Sequence, residues 1–243
     1  MAYKVLIDGR EVGEAAPHGL DHSPLGLWNF ASGSELVDSS GNGLTLSSAG
    51  SPGYSELVPG LRVAWMPPSP NSYLYRPAND ASLTIQGAIT VEFMCNLSSS
   101  PTTGVSVFFG GTAASEANNN QWDLRLNNGT FRTRIQHDGY VTEDIDYTTT
   151  APYLLPTHVA LTRNADGKTY KLYLNGVLDD TQVATNAPTG GTNSRLGICA
   201  TVIPNNFLQC GICSLKVIGS ELTPNEVKAE FNKTLGPIYG YAA

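Results

Sequence analysis

Short apolar segments with a period of two, separated by clusters of Gly, Asn, Asp, Pro and Ser, recur from Leu25 to Ile218 and leave few folds open. In Trp122-Asp-Leu-Arg-Leu126, Trp122, Leu124 and Leu126 take one face and Asp123 and Arg125 the other, as in a strand with one buried and one solvated side. The pattern returns at Leu25–Phe30, Leu44–Leu46, Leu61–Trp65, Tyr73–Tyr75, Ile89–Met94, Val105–Phe109, Phe131–Ile135, His158–Thr162, Tyr170–Leu174, Arg195–Ile198 and Ile212–Ile218. About a dozen such strands predict two packed antiparallel sheets. Alternation assigns Trp28, Val91, Phe93, Leu124, Val159, Leu161, Leu172 and Leu174 to the core between them, and Trp65 and Trp122 also fall on the strand pattern as core residues.

The connections agree with this register. Asn128-Gly129, Asp166-Gly167 and Asn175-Gly176 put Gly or Asn where tight hairpins need positive φ. One helix signal stands out, Leu222-Thr-Pro-Asn-Glu-Val-Lys-Ala-Glu-Phe-Asn-Lys233. Thr223 is its N-cap, Pro224 its first residue and Glu226 the partner in a capping box, with Val227 and Phe231 on one face. It is expected to dock on the edge of the sandwich. Ahead of the strands, Tyr3–Ile7, Asp8-Gly9 and Arg10–Val12 read as strand, turn and strand, so the organisation is an N-terminal arm (1–24), one sandwich (25–234) and a C-terminal tail (235–243).

Composition narrows the function. Only 14% of the residues are charged, and the net charge of −7 offers no broad basic surface, which argues against nucleic acid and against an anionic membrane as partners. No stretch reads as a signal peptide or a transmembrane segment. Cys210 and Cys213 have C-x-x-C spacing, but they lie in a strand pattern with no second close pair. Together with Cys95 and Cys199 they read as reduced, buried thiols.

Five segments in order carry a family likeness: Leu27-Trp-Asn-Phe30, Asp38-Ser-Ser-Gly-Asn-Gly43, Ile89-Thr-Val-Glu-Phe93, His158–Gly176 and the capped helix. Together they resemble the concanavalin A-like, laminin G-like jelly-roll family over residues 25–235, the block from His158 to Gly176 being the most specific. A departure is Pro156-Thr157, where the family usually has an aromatic residue before the His-Val pair. The resemblance implies an all-β fold, a two-sheet antiparallel jelly-roll sandwich with one short C-terminal helix. Because that fold hosts lectins, adhesion modules, hydrolases and virion proteins alike, function must come from the residues.

Hydrolases of this architecture resemble one another in a strand of paired carboxylates, since retaining cleavage needs two carboxyls on one sheet face. The nearest approach is Asp144 and Asp146 in Glu143-Asp-Ile-Asp146, with no third acid at the family spacing; they read as a solvated edge strand. A glycan surface would draw on Asn120, Trp122 and Tyr140, with Tyr147 and Tyr153 as further rings for stacking. In some related jelly rolls a loop like Asp38–Gly43 supplies oxygen ligands to Ca²⁺. Asp38 and Asn42 are therefore candidate ligands, although the same residues also make an ordinary turn and no cofactor is otherwise indicated. His158 reads as a packed, hydrogen-bonded histidine.

Three functions remain, in order of preference. The first is a non-enzymatic surface or structural module of a virus particle, most plausibly a bacteriophage, made in the host cytoplasm and placed on the capsid or on a tail or fibre. Its partners would be other virion proteins or further copies of itself, with host glycan as an additional ligand. In that reading Val5, Leu6 and Ile7 of the arm and Tyr239 and Tyr241 of the tail are docking residues. The second is a free-standing carbohydrate-binding protein, and the third, a glycoside hydrolase, lacks its acids.

Overall fold

A computed structural model describes residues 4–7, 10–14, 22–58, 61–67, 72–76, 87–97, 105–112, 122–137, 141–152, 155–188, 195–199 and 208–234. Among these residues seventeen strands, numbered in chain order, lie in three antiparallel sheets. The smallest is the hairpin of β1 (Lys4–Ile7) and β2 (Arg10–Glu14), in which Ile7 pairs with Arg10; the expected turn at Asp8-Gly9 lies outside the described residues.

A seven-stranded sheet has the order β12 (Val141–Thr150), β11 (Thr130–His137), β10 (Trp122–Asn127), β9 (Val105–Thr112), β16 (Arg195–Ile198), β7 (Tyr73–Tyr75) and β4 (Ser47–Ala49). The eight-stranded sheet runs β15 (Val177–Val183), β14 (Thr169–Leu174), β13 (Thr157–Arg163), β8 (Ile89–Leu97), β17 (Cys210–Ile218), β6 (Leu61–Met66) and β5 (Gly53–Val58). Its remaining strand, β3 (Gly26–Trp28), pairs with Leu215–Val217 of β17 on the side where β6 pairs with Cys210–Ile212. The irregularity between Cys213 and Lys216, with Ser214 at φ 47°, lets one strand serve both neighbours.

Between the two large sheets lies the core. Trp28, Val91, Phe93, Leu124, Val159, Leu161 and Leu172 are buried there as alternation requires, and Leu174 packs against them half-buried. The Trp28 indole N–H donates to the Leu44 carbonyl at 3.0 Å, which satisfies its one polar atom. Trp65 departs from expectation. Ala64 and Met66 take the inward positions of β6, so Val63 and Trp65 point out. A Cβ on Gly211 would come within 2.5 Å of Val63 and 3.1 Å of the Trp65 ring, so any side chain at this position of β17 would force Val63 to shift.

The hairpins form as read. Asn128 and Gly129, and Asn175 and Gly176, all have positive φ, as a two-residue turn of this twist requires. Helix α1 (Pro224–Thr234) begins with the capping box: the Thr223 N–H donates to Glu226 Oε2 at 2.7 Å, and the Glu226 N–H faces Thr223 Oγ1 at 3.4 Å.

The helix does not dock on an edge. Phe231 packs with Val63, Met94 and Cys213, and Val227 with Ala160, Tyr173, Ile218 and Leu222, so α1 lies across the outer face of the eight-stranded sheet. A central sheet buried on one side only would alternate in exposure, whereas β13 is buried along its whole length because α1 covers its second face. A period-two pattern cannot tell an edge from a face, and that is why the expectation failed.

Candidate functional site

The register aligns several strand ends at one end of the seven-stranded sheet. Trp122 at the start of β10 faces Ile135 near the end of β11, His137 faces Val141 at the start of β12, and Thr112 at the end of β9 faces Arg195 at the start of β16. The connections 113–121, 138–140 and 189–194 therefore join strands at this end. Trp122 stands on β10 at this position; its side chain, like Asn120, Tyr140 and Tyr153, lies outside the described residues. Tyr147 points inward. It is buried in the core, its hydroxyl 3.0 Å from Thr133 Oγ1, and so is no stacking surface; burial pushes its phenol well above the usual value.

On the outer face beside that end, charges of opposite sign alternate across three strands. Arg125 pairs with Asp123 within β10, Arg132 reaches both Asp144 and Asp146, and Arg134 grips Asp144 through two hydrogen bonds of 2.6 and 2.8 Å. Hydrogen bonding from Arg134 holds the Asp144 carboxyl below the ordinary carboxylate range, and burial pushes Asp123 above it against the pull of Arg125. Asp144 is therefore poorly suited to donate a proton, since a general acid needs a raised pKa. β12 is the sheet edge, as expected for Asp144 and Asp146, but the arginines opposite were not foreseen. Arg132-Thr-Arg134 and Asp144-Ile-Asp146 are one hairpin apart, and pairing that hairpin in register would have revealed them.

The edge is sealed toward the second sheet. Asp180 on β15 accepts from the Thr148 N–H at 3.1 Å, Asp179 bonds Thr149, and Glu143 accepts from the Thr185 and Asn186 N–H groups at 2.7 and 3.2 Å. These contacts tie β12 to β15 through side chains rather than through a ladder.

In the loop before β4, Asp38 accepts four hydrogen bonds from its own neighbourhood. The donors are the N–H groups of Leu27, Ser40 and Leu44 and the Ser40 hydroxyl, at 2.8–3.0 Å. Asn42 turns its Nδ2 donors to the Pro24 and Leu25 carbonyls, both at 3.1 Å. Both side chains are thus engaged in building an Asx-type turn that pins the chain to β3, and among the described residues no group of three or more His, Cys, Asp or Glu gathers as metal ligands would. Burial opposes the Asp38 charge, but the donors outweigh it and hold its carboxyl below the usual value. The stability this confers is present above the unfolded-state value of about pH 4 and is lost as pH falls through the lower folded value. Asp38→Asn should cost about 1–3 kcal/mol near neutrality, because its new N–H₂ meets donors, and the gap to the parent should narrow below pH 4. Urea unfolding of both proteins at pH 7 and pH 3 checks this.

Other candidates serve the scaffold. His22 bridges Ser220 and Glu226 at 3.0 and 3.2 Å, tying the segment before β3 to the helix start. His158 is buried beneath α1, its ring edge-on to Phe231 and its Nε2 3.7 Å from Glu92 Oε2. That burial was expected, but its Nδ1 makes no hydrogen bond among the described residues. All four cysteines are free and buried. Three positions apart on a strand means opposite faces: Cys210 points into the core and Cys213 toward Phe231, so the C-x-x-C pair cannot close on one metal or one bond.

A family profile described as the concanavalin A-like lectin/glucanases superfamily, of the laminin G type, matches residues 70–228. The chain belongs to this family. Among solved structures it is similar to the binding domain of botulinum neurotoxin serotype G, at 13% identity and a TM-score of 0.68, over 86% of this chain and 50% of that one. The binding domain of Paraclostridial Mosquitocidal Protein 1 matches at 16% identity and a TM-score of 0.68, over 87% and 52%. A third, the binding domain of botulinum neurotoxin DC in complex with rat synaptotagmin II, matches at 14% and 0.67, over 87% and 52%. The chain thus spans about half the length of these structures, and at such identities the likeness is one of fold. No curated protein sequence matches. The superfamily's two-sheet sandwich is the architecture expected from the sequence, and among the described residues no helix is long and apolar enough to cross a membrane.

Proposed function

We propose that the chain is a non-catalytic recognition module that engages a glycan or protein receptor at the end of its seven-stranded sheet, around Asn120, Trp122 and Tyr140. The observation that carries this reading is the arginine pairing of Asp144 and Asp146. The two carboxylates of a hydrolase must hold different protonation states and leave room for a sugar ring, whereas these are bound to guanidinium groups across a hairpin. The family includes lectins, and similar folds occur in a botulinum neurotoxin type C structure described by its interaction with two ganglioside molecules and in the neurotoxin–synaptotagmin complex.

The finer form of the proposal places the module on a bacteriophage particle, where the separate β1–β2 hairpin and the residues after Lys233 dock on neighbouring virion proteins or on further copies of the chain. Its support is that, among the described residues, the hairpin pairs with neither large sheet. Val5, Leu6 and Ile7 would serve there, with Tyr239 and Tyr241, whose side chains lie outside the described residues.

Binding of the intact chain to a glycan array, with gangliosides included, should give saturable signals that Trp122→Ala abolishes and Asp144→Asn/Asp146→Asn leaves in place. Reducing sugar released from a polysaccharide panel, and lost in the Asp144/Asp146 variant, would make it a hydrolase instead. Deleting residues 1–17 should leave glycan binding intact and remove only self-association, read by light scattering, or incorporation into the particle; a monomer unaffected by the deletion favours the free-standing lectin.

A further inference from the structure

Two of the four thiols meet across the interior. Cys199 directly follows β16 in the seven-stranded sheet, and Cys210 opens β17 in the eight-stranded sheet. Both are fully buried in the core cluster, and their sulfurs are 3.0 Å apart, within contact distance for two sulfur atoms and about 1 Å beyond a bond. The backbone is arranged to keep them there. Cys199 holds a left-handed conformation, φ 62°, which a residue with a Cβ adopts only at some strain, and its carbonyl accepts the Leu208 N–H at 2.9 Å, closing the base of the connection between the two strands.

The remaining cysteines are set apart by register. Cys213 lies on the opposite face of β17, under Phe231. Cys95 shares the inward face with Cys210 but stands opposite Ile212, while Cys210 stands opposite Leu97, so the two occupy diagonal rather than facing positions. A bond between Cys199 and Cys210 alone would join the two sheets directly.

We propose that Cys199 and Cys210 are a redox pair that closes, when the protein meets an oxidising environment, into a disulfide stapling the two sheets together. The oxidant is a low-molecular-weight disulfide. One cysteine thiolate attacks it, forming a mixed disulfide and expelling one small thiol. The second thiolate then attacks the mixed sulfur and expels the other, so the protein gives up two protons and two electrons and the reagent's S–S bond is reduced. A chain made in a reducing cytoplasm would thus fold with free thiols and be locked on reaching the exterior, whatever it binds there. Burial, reinforced by the neighbouring sulfur, raises the Cys210 thiol well above its usual value, so the closed native state reacts slowly and the bond forms during folding or transient opening.

The test folds the full chain from denaturant in a glutathione redox buffer and, in parallel, in excess reductant. Before alkylation the oxidised protein should be lighter than the reduced one by two hydrogens, and after denaturation and alkylation it should carry two alkylated cysteines, Cys95 and Cys213, against four in the reduced one. Non-reducing peptide mapping should join Cys199 to Cys210. The oxidised form should melt about 5–10 °C above the reduced one, as closing a loop of this size predicts. Cys95→Ser and Cys213→Ser should leave the bond intact, and Cys199→Ser should abolish it. The proposal is overturned by four alkylated cysteines under both conditions, by a bond that maps to Cys95 or Cys213, or by a Cys199–Cys210 bond that fails to raise the melting temperature.

Discussion

Leu172→Asp should leave little soluble protein and, in whatever fraction folds, lower the stability by several kcal/mol. Leu172 is fully buried on β14, between Leu161 of β13 and Asp180 of β15, with its side chain in the core between the sheets. The substitution removes an apolar group from the core, a loss of about 2–5 kcal/mol by itself, and puts a carboxylate among apolar side chains. For a domain whose total stability is about 5–15 kcal/mol, that is enough to populate unfolded chain at ambient temperature. Thr169→Asp, on the same strand but only half-buried, is the control and should express normally. Equal soluble yield and equal melting temperature for the Leu172 variant and the parent would mean that β14 presents its other face to the core.

The reading of β14 shows how much of the fold was legible. Tyr170, Leu172 and Leu174 against Lys171 and Tyr173 gave the inward face, and Asp166-Gly167 and Asn175-Gly176 fixed the hairpins on either side, because period and turn chemistry are local properties. What local pattern does not encode is the partner across space. Tyr173, on the outward face, is as deeply buried as Tyr170 because α1 covers it, and nothing in the alternation of β14 announces a helix fifty residues later. Trp65 failed for the same reason. Its large apolar ring was assigned to the core, yet it lies outside over Gly211, where a neighbouring strand lacking a side chain makes room.

The acidic edge was half legible. Asp144 and Asp146 were correctly placed on one face of an edge strand, and their weakness as catalytic acids was argued from a missing third acid, whereas the arginines of β11 are what occupy them. The calcium candidate behaves likewise: composition offered Asp38 and Asn42 as oxygen donors, and only the folded loop shows Asp38 accepting from four donors of its own chain. Glu92, His158 and Lys216 form a group that no local pattern encodes, because they sit on three different strands separated by up to 124 residues.

That group carries the second large effect. Glu92 is buried under α1, its Oε1 2.9 Å from Lys216 Nζ, and the same ammonium reaches Glu230 on the helix at 2.5 Å. Burial disfavours the lysine charge, but the two carboxylates outweigh it and hold the ammonium above its usual pKa. Its contribution is therefore present below the unfolded-state value near pH 10.4 and lost as pH rises through the higher folded value. Lys216→Met keeps the length of the side chain and removes the cation, leaving Glu92 as a buried charge and Glu230 as a like charge nearby. The expected cost is about 3–5 kcal/mol, most of it from the abandoned carboxylate rather than from the pair itself. Glu92→Gln in the same protein should return a large part of that loss, giving a coupling of about 1–3 kcal/mol in the double-mutant cycle, whereas Glu230→Gln, at a more exposed group, should return little. Urea midpoints with a common slope measure all four proteins. If Lys216→Met costs less than 1 kcal/mol, or if the Lys216 and Glu92 changes simply add, then α1 is held on the sheet by Val227 and Phe231 alone and the charges beneath it are incidental.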